Sequence, residues 1–349
     1  MRLGDFDYGL PALLIAQVPL PERDQSRLMV LDRQTQVIEH RKFPDVVTYL
    51  RKGDALVLND TKVIAARLLR ASPRPDEKSP RGEVFLLEEM GTNVWECLVK
   101  PAKKFRPGAQ IFFRGHRVVG EVLADTPFQS KIVHFRCNTD VRSILPEIGS
   151  VPLPPYIRRT TSLPLDRDRY QTVYASKDGS VAAPTAGFHF TEHLLEEIRS
   201  NGVVVCFVTL HVGLGTFQPV RTTTVERHKM HSEWFSIDEQ TARSLNEIRQ
   251  GGGRIVAVGT TSARVLETAA DENGTIRPLV GKTDLFIYPG YKFKALAGGA
   301  LLTNFHLPRS TLLMLVCAFA GKDFVLQAYR EAIKMEYRFY SYGDAMLIL

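Results

Sequence analysis

Hydrophobic and polar residues alternate over short runs in the first third of the chain, a pattern of period two that predicts β-strands. Arg27–Leu31 and Val37–His40, joined by the polar segment 32–36, are typical of a hairpin. We expect a short helix over Pro44–Leu50. The continuous apolar run Ala55–Leu58 predicts a buried strand, and the polar residues Asn59, Asp60 and Thr61 follow it directly.

Closely spaced strand patterns without helical period then predict a small β-barrel or sandwich. They are Val84–Leu87, Val94–Val99, Gln110–Phe113, Val118–Leu123 and Lys131–Phe135. The segment Ala71–Gly82 before them has three prolines and no apolar period, which predicts a loop. We therefore expect an inserted β-barrel domain over residues 67–145, within a discontinuous α/β domain formed by residues 1–66 and 146–349.

Helical and strand patterns alternate after Gln171. Thr191 can cap a helix that ends before Gly202. The other predicted elements are the strands Val203–Leu210, Ile255–Val258, Leu285–Ile287 and Ala300–Leu302 and the helices Glu239–Gln250, Thr261–Ala270, Leu312–Ala320 and Phe324–Glu336. This order predicts βαβ units. The expected fold class is therefore α/β, with a large domain built on a mainly parallel sheet plus the inserted small β-barrel domain.

Composition places the chain among globular proteins. It has 349 residues, of which 44% are hydrophobic and 24% charged. The first residues have no apolar signal core, and the longest apolar run, Leu312–Ala320, is too short to span a membrane. The cysteines have no metal-ligand spacing and are typical of reduced thiols: Cys97, Cys137, Cys206 and Cys317. We expect a cytoplasmic monomer that does not bind membranes.

The net charge of +7 and the pI of about 9.2 favour a polyanionic partner, although a mildly basic enzyme would have the same balance. The basic residues that gather near Phe105 and Tyr156 are candidates for RNA binding through phosphates and stacking. They are Lys100, Lys103, Lys104, Arg106, Arg158 and Arg159. A solvated basic loop is the alternative for so short a cluster.

Candidate chemistry concentrates in residues 181–233, which hold five of the nine histidines: His189, His193, His211, His228 and His231. Glycine, threonine and serine surround them. Glycine lets a backbone approach a ligand, and histidine transfers protons near neutral pH. For each histidine the alternative is a structural hydrogen bond, which we favour for His193 on an exposed helix face.

Polar blocks follow three predicted strands, and carboxyl ends of parallel strands meet at one edge of a sheet. Thr209, His211, Gly213 and Gly215 follow the first strand. Gly259, Thr260, Thr261 and Ser262 follow the second, and Asn304 and His306 follow the third. The second block, with Arg264 nearby, suits a carboxylate or phosphate, although for this turn taken alone ordinary helix capping is the preferred explanation. We expect the three blocks to line one pocket.

Several classes of site are disfavoured. The glycines of Val212–Phe217 lack the third glycine and the following helix of a dinucleotide fingerprint, and no Walker loop is present. His228, His231 and Glu233, with His211, could hold a metal, but their spacing fits no zinc signature. Proton transfer is favoured over metal binding, so we expect no metal. A cationic substrate would contact aromatic rings, for which Phe188, Phe190, Phe217 and Tyr288 are candidates.

Taken together, these blocks resemble the S-adenosylmethionine:tRNA ribosyltransferase-isomerase family of queuosine biosynthesis. The resemblance covers most of the chain. Its motifs are Leu58–Thr61 with Arg67, Val151–Ile157, Tyr170–Tyr174, Val181–Gly187, Thr209–Val220, His228–Glu233, Val258–Ser262, Phe286–Gly290, Thr303–Pro308 and Tyr340–Met346. So many separate motifs in one order are highly specific.

The resemblance implies an α/β domain with an inserted β-barrel, and it implies a reaction. The ribosyl part of S-adenosylmethionine moves onto 7-aminomethyl-7-deazaguanine at the tRNA wobble position. Epoxyqueuosine forms, and adenine and methionine leave. S-adenosylmethionine is then a consumed substrate, and no separate cofactor is implied. A non-catalytic tRNA-binding protein and a histidine-metal hydrolase are the alternatives.

This chemistry needs a base that removes a proton beside the sulfonium and an acid that protonates adenine. We expect His189, His211, His231 and Glu233 to divide the proton transfers, with Asp284 and His306 as weaker candidates. The residues expected to bind substrate are Thr185, Gly187, Thr209, Gly213, Gly215, Thr260, Thr261, Ser262, Arg264, Asp284, Asn304 and His306. Among them, Thr260, Thr261, Ser262 and Arg264 are expected to hold the methionyl carboxylate.

Overall fold

The computed structural model describes residues 1–72, 82–113, 118–126, 130–159, 163, 165–213, 215, 220 and 222–349. Its strands are β1 Arg27–Asp32, β2 Val37–Lys42, β3 Ala55–Asn59, β4 Thr61–Val63, β5 Arg67–Leu69, β6 Glu83–Gly91, β7 Val94–Lys100, β8 Gln110–Phe112, β9 Val119–Asp125, β10 Lys131–Arg136, β11 Gly149–Ser150, β12 Lys177–Ser180, β13 Val204–Leu210, β14 Glu233–Ile237, β15 Ile255–Val258, β16 Leu279–Thr283, β17 Ala300–Asn304 and β18 Ala345–Ile348. Its α-helices are α1 Val46–Tyr49, α2 Val141–Ile148, α3 Asp166–Arg169, α4 Glu192–Ser200, α5 Glu239–Gln250, α6 Gly259–Ala269, α7 Thr311–Ala320 and α8 Lys322–Lys334.

A nine-stranded sheet in the order β16-β14-β13-β3-β15-β17-β18-β1-β2 forms the larger part of the fold. Its central strands β13, β3, β15 and β17 run parallel. Strands β14 and β16 on one side, and the β17–β18 and β1–β2 pairs on the other, are antiparallel. The sheet is therefore mixed, and the expectation of a mainly parallel sheet holds for its centre only.

Three of the four central strands are buried along their whole length because both faces of the sheet are covered, whereas β13 is exposed at its amino end. Every residue of β3, β15 and β17 is buried. Helices α5, α6, α7 and α8 contribute to the hydrophobic core on one face, and α1 and α4 to the core on the other. Helix α6 contacts all four central strands, so its first turn is fixed at their carboxyl ends.

The second sheet is antiparallel and curled, in the order β11-β5-β6-β7-β10-β9-β8. Its curvature brings the residues after β5 and β8 together, where Arg70 and Phe113 form a bridge. The Ala71 backbone N–H donates to the Phe112 carbonyl at 2.8 Å. Strand β11 lies beyond residue 145 in sequence and still pairs with β5, so this sheet includes residues up to Ser150.

Most elements predicted from the sequence are confirmed, including the β1–β2 hairpin and the strands β6 to β10. The Thr191 hydroxyl caps α4 by accepting from the Leu194 N–H at 3.1 Å, as predicted. The predicted loop Ala71–Gly82 lies largely outside the described residues. The C-terminal strand β18 and the antiparallel strands β14 and β16 were not predicted.

The prediction of a strand over Leu285–Ile287 is wrong. The Arg264 guanidinium donates to the Leu285 carbonyl at 3.1 Å, and the Leu285 N–H donates to the Thr283 hydroxyl at 3.2 Å. Side chains thus satisfy backbone groups that a sheet would otherwise pair, and the strand ends at Thr283.

No single helix in the described part of the chain is long and apolar enough to cross a membrane. Taken together, α7 and α8 are long and apolar enough by length and composition alone, but the two helices are bent by 115° where they meet.

Candidate active site

A cavity that is partly open to solvent lies at the carboxyl ends of the central strands, where the strand-end argument places a site. Six of the residues expected to bind substrate line it: Thr185, Thr260, Thr261, Arg264, Asn304 and His306. They come from three separate parts of the chain, and the fold brings them together. The remaining predicted residues lie outside the lining, and their surroundings explain why.

Asn304, the last residue of β17, is the hydrogen-bonding centre of this cavity. Its amide nitrogen faces the carbonyls of Tyr340 at 3.2 Å and Asp344 at 3.4 Å. Its amide oxygen accepts from the Thr185 hydroxyl at 3.1 Å. Because the amide nitrogen faces acceptors and the oxygen faces a donor, the orientation of the amide is defined.

His189 lies behind Asn304, outside the cavity lining. Its Nε2 is 3.1 Å from the Asn304 amide nitrogen, and its Nδ1 is 2.7 Å from the Ser26 hydroxyl. The amide nitrogen can only donate, so Nε2 accepts and Nδ1 carries the proton. The ring stacks on Phe43, with centroids 4.9 Å apart. Burial, together with Arg338 and Arg23, lowers the pKa of His189 to about 3, so this ring is neutral at physiological pH.

Only one imidazole, that of His306, lines the cavity among the described residues. Its Nε2 is 2.8 Å from the Thr303 hydroxyl. The His306 backbone is held on both sides, because its N–H donates to the Tyr329 hydroxyl and its carbonyl accepts from Tyr8. Burial lowers the pKa of His306 to about 3, so the ring enters any reaction as a neutral base or hydrogen-bonding group.

The first turn of α6 presents unpaired donors to the same cavity. Gly259 has a φ of +87°, which allows the sharp turn from β15 into the helix. No side chain caps this helix, and the buried Thr261 hydroxyl has no partner among the described residues. Ser262 points away from the cavity and donates to the Val258 carbonyl at 2.8 Å. The groups that this turn could offer to an anion therefore belong to Thr260 and Thr261 and not to Ser262.

Glu233 and Arg264 form a buried ion pair that joins β14 to α6. The other Glu233 carboxylate oxygen accepts from the Gly213 N–H at 2.8 Å. The Arg264 guanidinium also donates to the Leu285 and Thr283 carbonyls. Both side chains are occupied by the protein itself, and Glu233 lies outside the cavity lining.

A second polar group surrounds the end of β13. The Thr209 hydroxyl donates to Asp60 at 2.7 Å, and His211 Nδ1 is 2.7 Å from the Thr61 hydroxyl. The His211 ring stacks on Trp234, with centroids 4.8 Å apart. Burial and the nearby Arg142 lower the pKa of His211. These residues lie outside the cavity lining.

Two predicted glycines are required by close packing. A Cβ on Gly187 would lie 2.0 Å from the Tyr174 hydroxyl, and one on Gly215 would lie 2.5 Å from the exposed ring of His231. Neither glycine contributes a side chain, so their effect on the site is to let neighbouring residues approach.

Asp284 is exposed and lies outside the cavity lining.

The aromatic rings of the cavity differ from those predicted. Tyr156, Tyr170, Phe305 and Tyr340 line it. Phe188 and Phe190 pack in the core, Tyr288 packs on Phe286, and Phe217 lies outside the described residues. Tyr156, Tyr170 and Tyr340 belong to motifs that carry the family resemblance, which was the signal available for finding them.

The basic residues divide into two groups. Lys103, Lys104, Arg106 and Arg158 are exposed, and Lys100 pairs with Glu83 at 3.0 Å. The Arg159 side chain is 14% exposed and pairs with the buried Asp166 at 2.6 Å, so it is not a free surface cation. No group of three histidine, cysteine, aspartate or glutamate side chains placed to hold a metal occurs within the residues described.

A mixed α/β fold with a hydroxyl-rich and aromatic cavity at the carboxyl ends of parallel strands is typical of α/β enzymes that bind a small molecule. The family model described as "Queuosine biosynthesis protein" matches residues 3–348. The chain belongs to this family.

Relatives support the same assignment. Proteins named S-adenosylmethionine:tRNA ribosyltransferase-isomerase from Symbiobacterium thermophilum and Caldanaerobacter subterraneus subsp. tengcongensis are 53% and 51% identical, and each match covers 100% of both chains. The crystal structure of S-adenosylmethionine tRNA ribosyltransferase from Thermotoga maritima is 42% identical, with a TM-score of 0.55, and the match covers 99% of this chain and 100% of that one.

Proposed function

We propose that this protein is an S-adenosylmethionine:tRNA ribosyltransferase-isomerase acting at the cavity around Asn304. It transfers and isomerises the ribosyl moiety of S-adenosylmethionine onto 7-aminomethyl-7-deazaguanine at the tRNA wobble position. The products are epoxyqueuosine in tRNA, adenine and methionine. S-adenosylmethionine is consumed as a substrate and no other cofactor is proposed. The observation that carries the proposal is the convergence of Thr185, Thr260, Thr261, Asn304 and His306 on one cavity in a member of this family.

The methionyl carboxylate binds, in this proposal, at the first turn of α6. Uncapped N–H groups and the positive end of the helix favour an anion there, and the Thr261 hydroxyl is a donor without a partner among the described residues. The sulfonium then faces the tyrosine pair Tyr156 and Tyr340, whose centroids lie 4.7 Å apart. Aromatic faces attract such a cation.

The proton transfers are assigned by burial and partners. His306 lines the cavity with a neutral ring and can accept the proton beside the sulfonium. His231, which is exposed, and His211 remain candidates for the acid that protonates adenine. His189 and Glu233 act as positioning groups, because their hydrogen-bonding atoms already have protein partners.

We further propose that residues 67–145, with β11 beyond them, form an inserted domain that contributes RNA contacts through Lys103, Lys104 and Arg106, with Lys100 and Arg158 beside them. These side chains are exposed, as phosphate contacts require. Arg159 is not assigned to RNA contact, because its guanidinium is paired with Asp166. One copy of the chain carries every residue assigned, so a monomer suffices.

The decisive experiment incubates the protein with S-adenosylmethionine and tRNA carrying the precursor base, followed by mass analysis of nucleosides and measurement of adenine. We expect epoxyqueuosine and adenine in equal amounts. The matched variants are Thr261→Val, which should raise KM for S-adenosylmethionine, and Arg51→Gln, which should not. Arg51 is exposed and precedes the amino end of β3, at the opposite edge of the sheet from the cavity. Tight tRNA binding without turnover would support a binding protein, and activity lost to a chelator would support a metal hydrolase; either result would overturn the proposal.

A further inference from the structure

Two half-buried arginines, Arg23 and Arg169, lie beside the active site without a carboxylate partner among the described residues. The Arg23 guanidinium donates to the Asp168 carbonyl at 2.8 Å. Arg169 donates to the carbonyls of Pro21 at 2.8 Å and Leu20 at 2.7 Å. Carbonyl oxygens satisfy N–H groups but carry no net negative charge, so neither guanidinium is neutralised by an ion pair within the described residues.

The environment of these charges favours an anion. Burial and the charge of Arg169 both lower the pKa of Arg23, which is the effect of two cations placed close together. Three carboxylates are near. Glu22 lines the same small cavity as the two arginines, is exposed, and accepts from Gln25 at 3.1 Å. Asp168 is exposed and its charge raises the pKa of Arg23, whereas Asp166, which lies near Tyr342, is paired with Arg159. None of the three forms an ion pair with Arg23 or Arg169 among the described residues.

A tyrosine hydroxyl adds a third donor. Tyr342 is only 4% exposed, and its hydroxyl has no partner among the described residues. Arg169 Nε is likewise buried without a partner there. Arg23, Arg169 and Tyr342 line one cavity of about 20 Å³. Such a volume holds a single water-sized group, so it fits one oxygen of a larger anion that lies outside.

The position of this cavity connects it to the active site. Ser341 lines both this cavity and the cavity around Asn304. Arg23 also lines a cleft of about 580 Å³, together with the basic residues Lys62, Arg142 and Arg167 and the acidic residues Asp168 and Asp178. A strand of RNA that follows the cleft towards the active site passes Arg23.

We propose that Arg23, Arg169 and Tyr342 bind a phosphodiester oxygen of the RNA substrate beside the modified nucleotide. Guanidinium groups are suited to phosphate oxygens, and a neutral hydroxyl adds a directional hydrogen bond. The inference rests on the proposed function for the identity of the RNA. Free phosphate could make the same contacts, and the experiment distinguishes binding of free phosphate from binding of RNA.

The experiment measures the Kd for tRNA carrying the precursor base over a range of salt concentrations, without S-adenosylmethionine. Tyr342→Phe removes a hydroxyl that has no described partner, so folding should be unaffected and affinity should fall about 3- to 10-fold with an unchanged salt slope. Arg23→Gln should reduce the salt slope by about one unit, and Arg23→Lys should weaken binding while retaining the slope. Arg51→Gln, an equal loss of charge at the opposite edge of the sheet, is the control.

The proposal is overturned if Tyr342→Phe and Arg23→Gln bind tRNA with the wild-type Kd and slope. It is also overturned in favour of free phosphate if inorganic phosphate stabilises the wild type but not Arg23→Gln, while tRNA binding is equal in both. Because binding is measured without turnover, these results are independent of the activity assay. Failure of the wild type to release adenine would reject the proposed function and leave the binding measurement intact.

Discussion

The amide nitrogen of Asn304 lies 3.1 Å from Nε2 of His189, and this contact makes the histidine a hydrogen-bond acceptor. His189 Nδ1 is in turn 2.7 Å from the Ser26 hydroxyl. Both ring nitrogens are therefore engaged inside the protein. The chain Ser26–His189–Asn304–Thr185 holds the Asn304 amide oxygen towards the Thr185 hydroxyl at the cavity.

His189→Gln should retain activity within about tenfold of the wild type, because a glutamine can accept from Asn304 and donate to Ser26. His189→Leu removes both hydrogen bonds, although the Asn304 amide nitrogen keeps the carbonyls of Tyr340 and Asp344. A buried polar group that loses its partner costs about 1–3 kcal/mol, so we expect a loss of about 10- to 100-fold in kcat/KM. Adenine release measured across pH gives the test, with His193→Gln on the exposed face of α4 as the control. If glutamine and leucine lose activity equally, by about 10²–10⁴-fold, His189 transfers a proton.

Stability should fall in acid because His189 and His306 are buried in the neutral form. Both have pKa values lowered from 6.5 to about 3 in the folded protein. Between pH 3 and pH 6.5 the unfolded chain therefore binds more protons than the folded protein. The stabilising contribution of the two neutral histidines is complete above pH 6.5 and is lost as the pH falls towards 3.

As the pH falls through that window, protonation of each histidine in the unfolded chain should lower the free energy of unfolding by about 1.4 kcal/mol per pH unit. Urea unfolding at several pH values measures the slope. His189→Gln removes one titrating group and should make the slope shallower by about 1.4 kcal/mol per pH unit. Parallel slopes for the wild type and the variant would contradict the burial argument.

Glu233→Gln should destabilise the protein by about 3–5 kcal/mol, because it leaves the buried Arg264 without its charged partner. Replacing both residues, by Glu233→Gln with Arg264→Met, should cost less than the sum of the single changes. Urea unfolding of the four proteins gives the coupling energy. The exposed pair Arg243–Glu239 is the control and should contribute about 0.3–0.5 kcal/mol. Additive single changes would show that Glu233 and Arg264 do not act as a pair.

Charge reversal at Lys103 and Lys104 should weaken tRNA binding and reduce its salt slope by about one to two units, because both side chains are exposed in the turn that follows β7. The measurement is the Kd for tRNA against salt concentration. Reversal at Arg51 and Lys52, at the opposite edge of the large sheet, is the matched control. An unchanged Kd and slope would remove the Lys103–Lys104 cluster from the RNA interface.

Local pattern was sufficient to predict elements whose signal is contained in a few residues. Helix α5 and strand β15 begin and end where predicted. The strand-end argument also brought Thr260, Asn304 and His306 to one cavity, because parallel strands with alternating helices leave few ways to arrange their ends. Tyr156 and Tyr340 were missed as lining residues, since their loops are placed by contacts distant in sequence.

The sequence by itself determined the order of elements, the strand ends that carry polar residues and the family, because periodicity, caps and motifs are local properties of the chain. Only the tertiary structure decided what each site residue can do. Ser262 faces the β15 carbonyls, Glu233 is neutralised by Arg264, and His189 is turned away behind Asn304. The physical reason is that protonation and hydrogen-bonding depend on burial and on partners supplied by remote segments, which no local pattern of residues encodes.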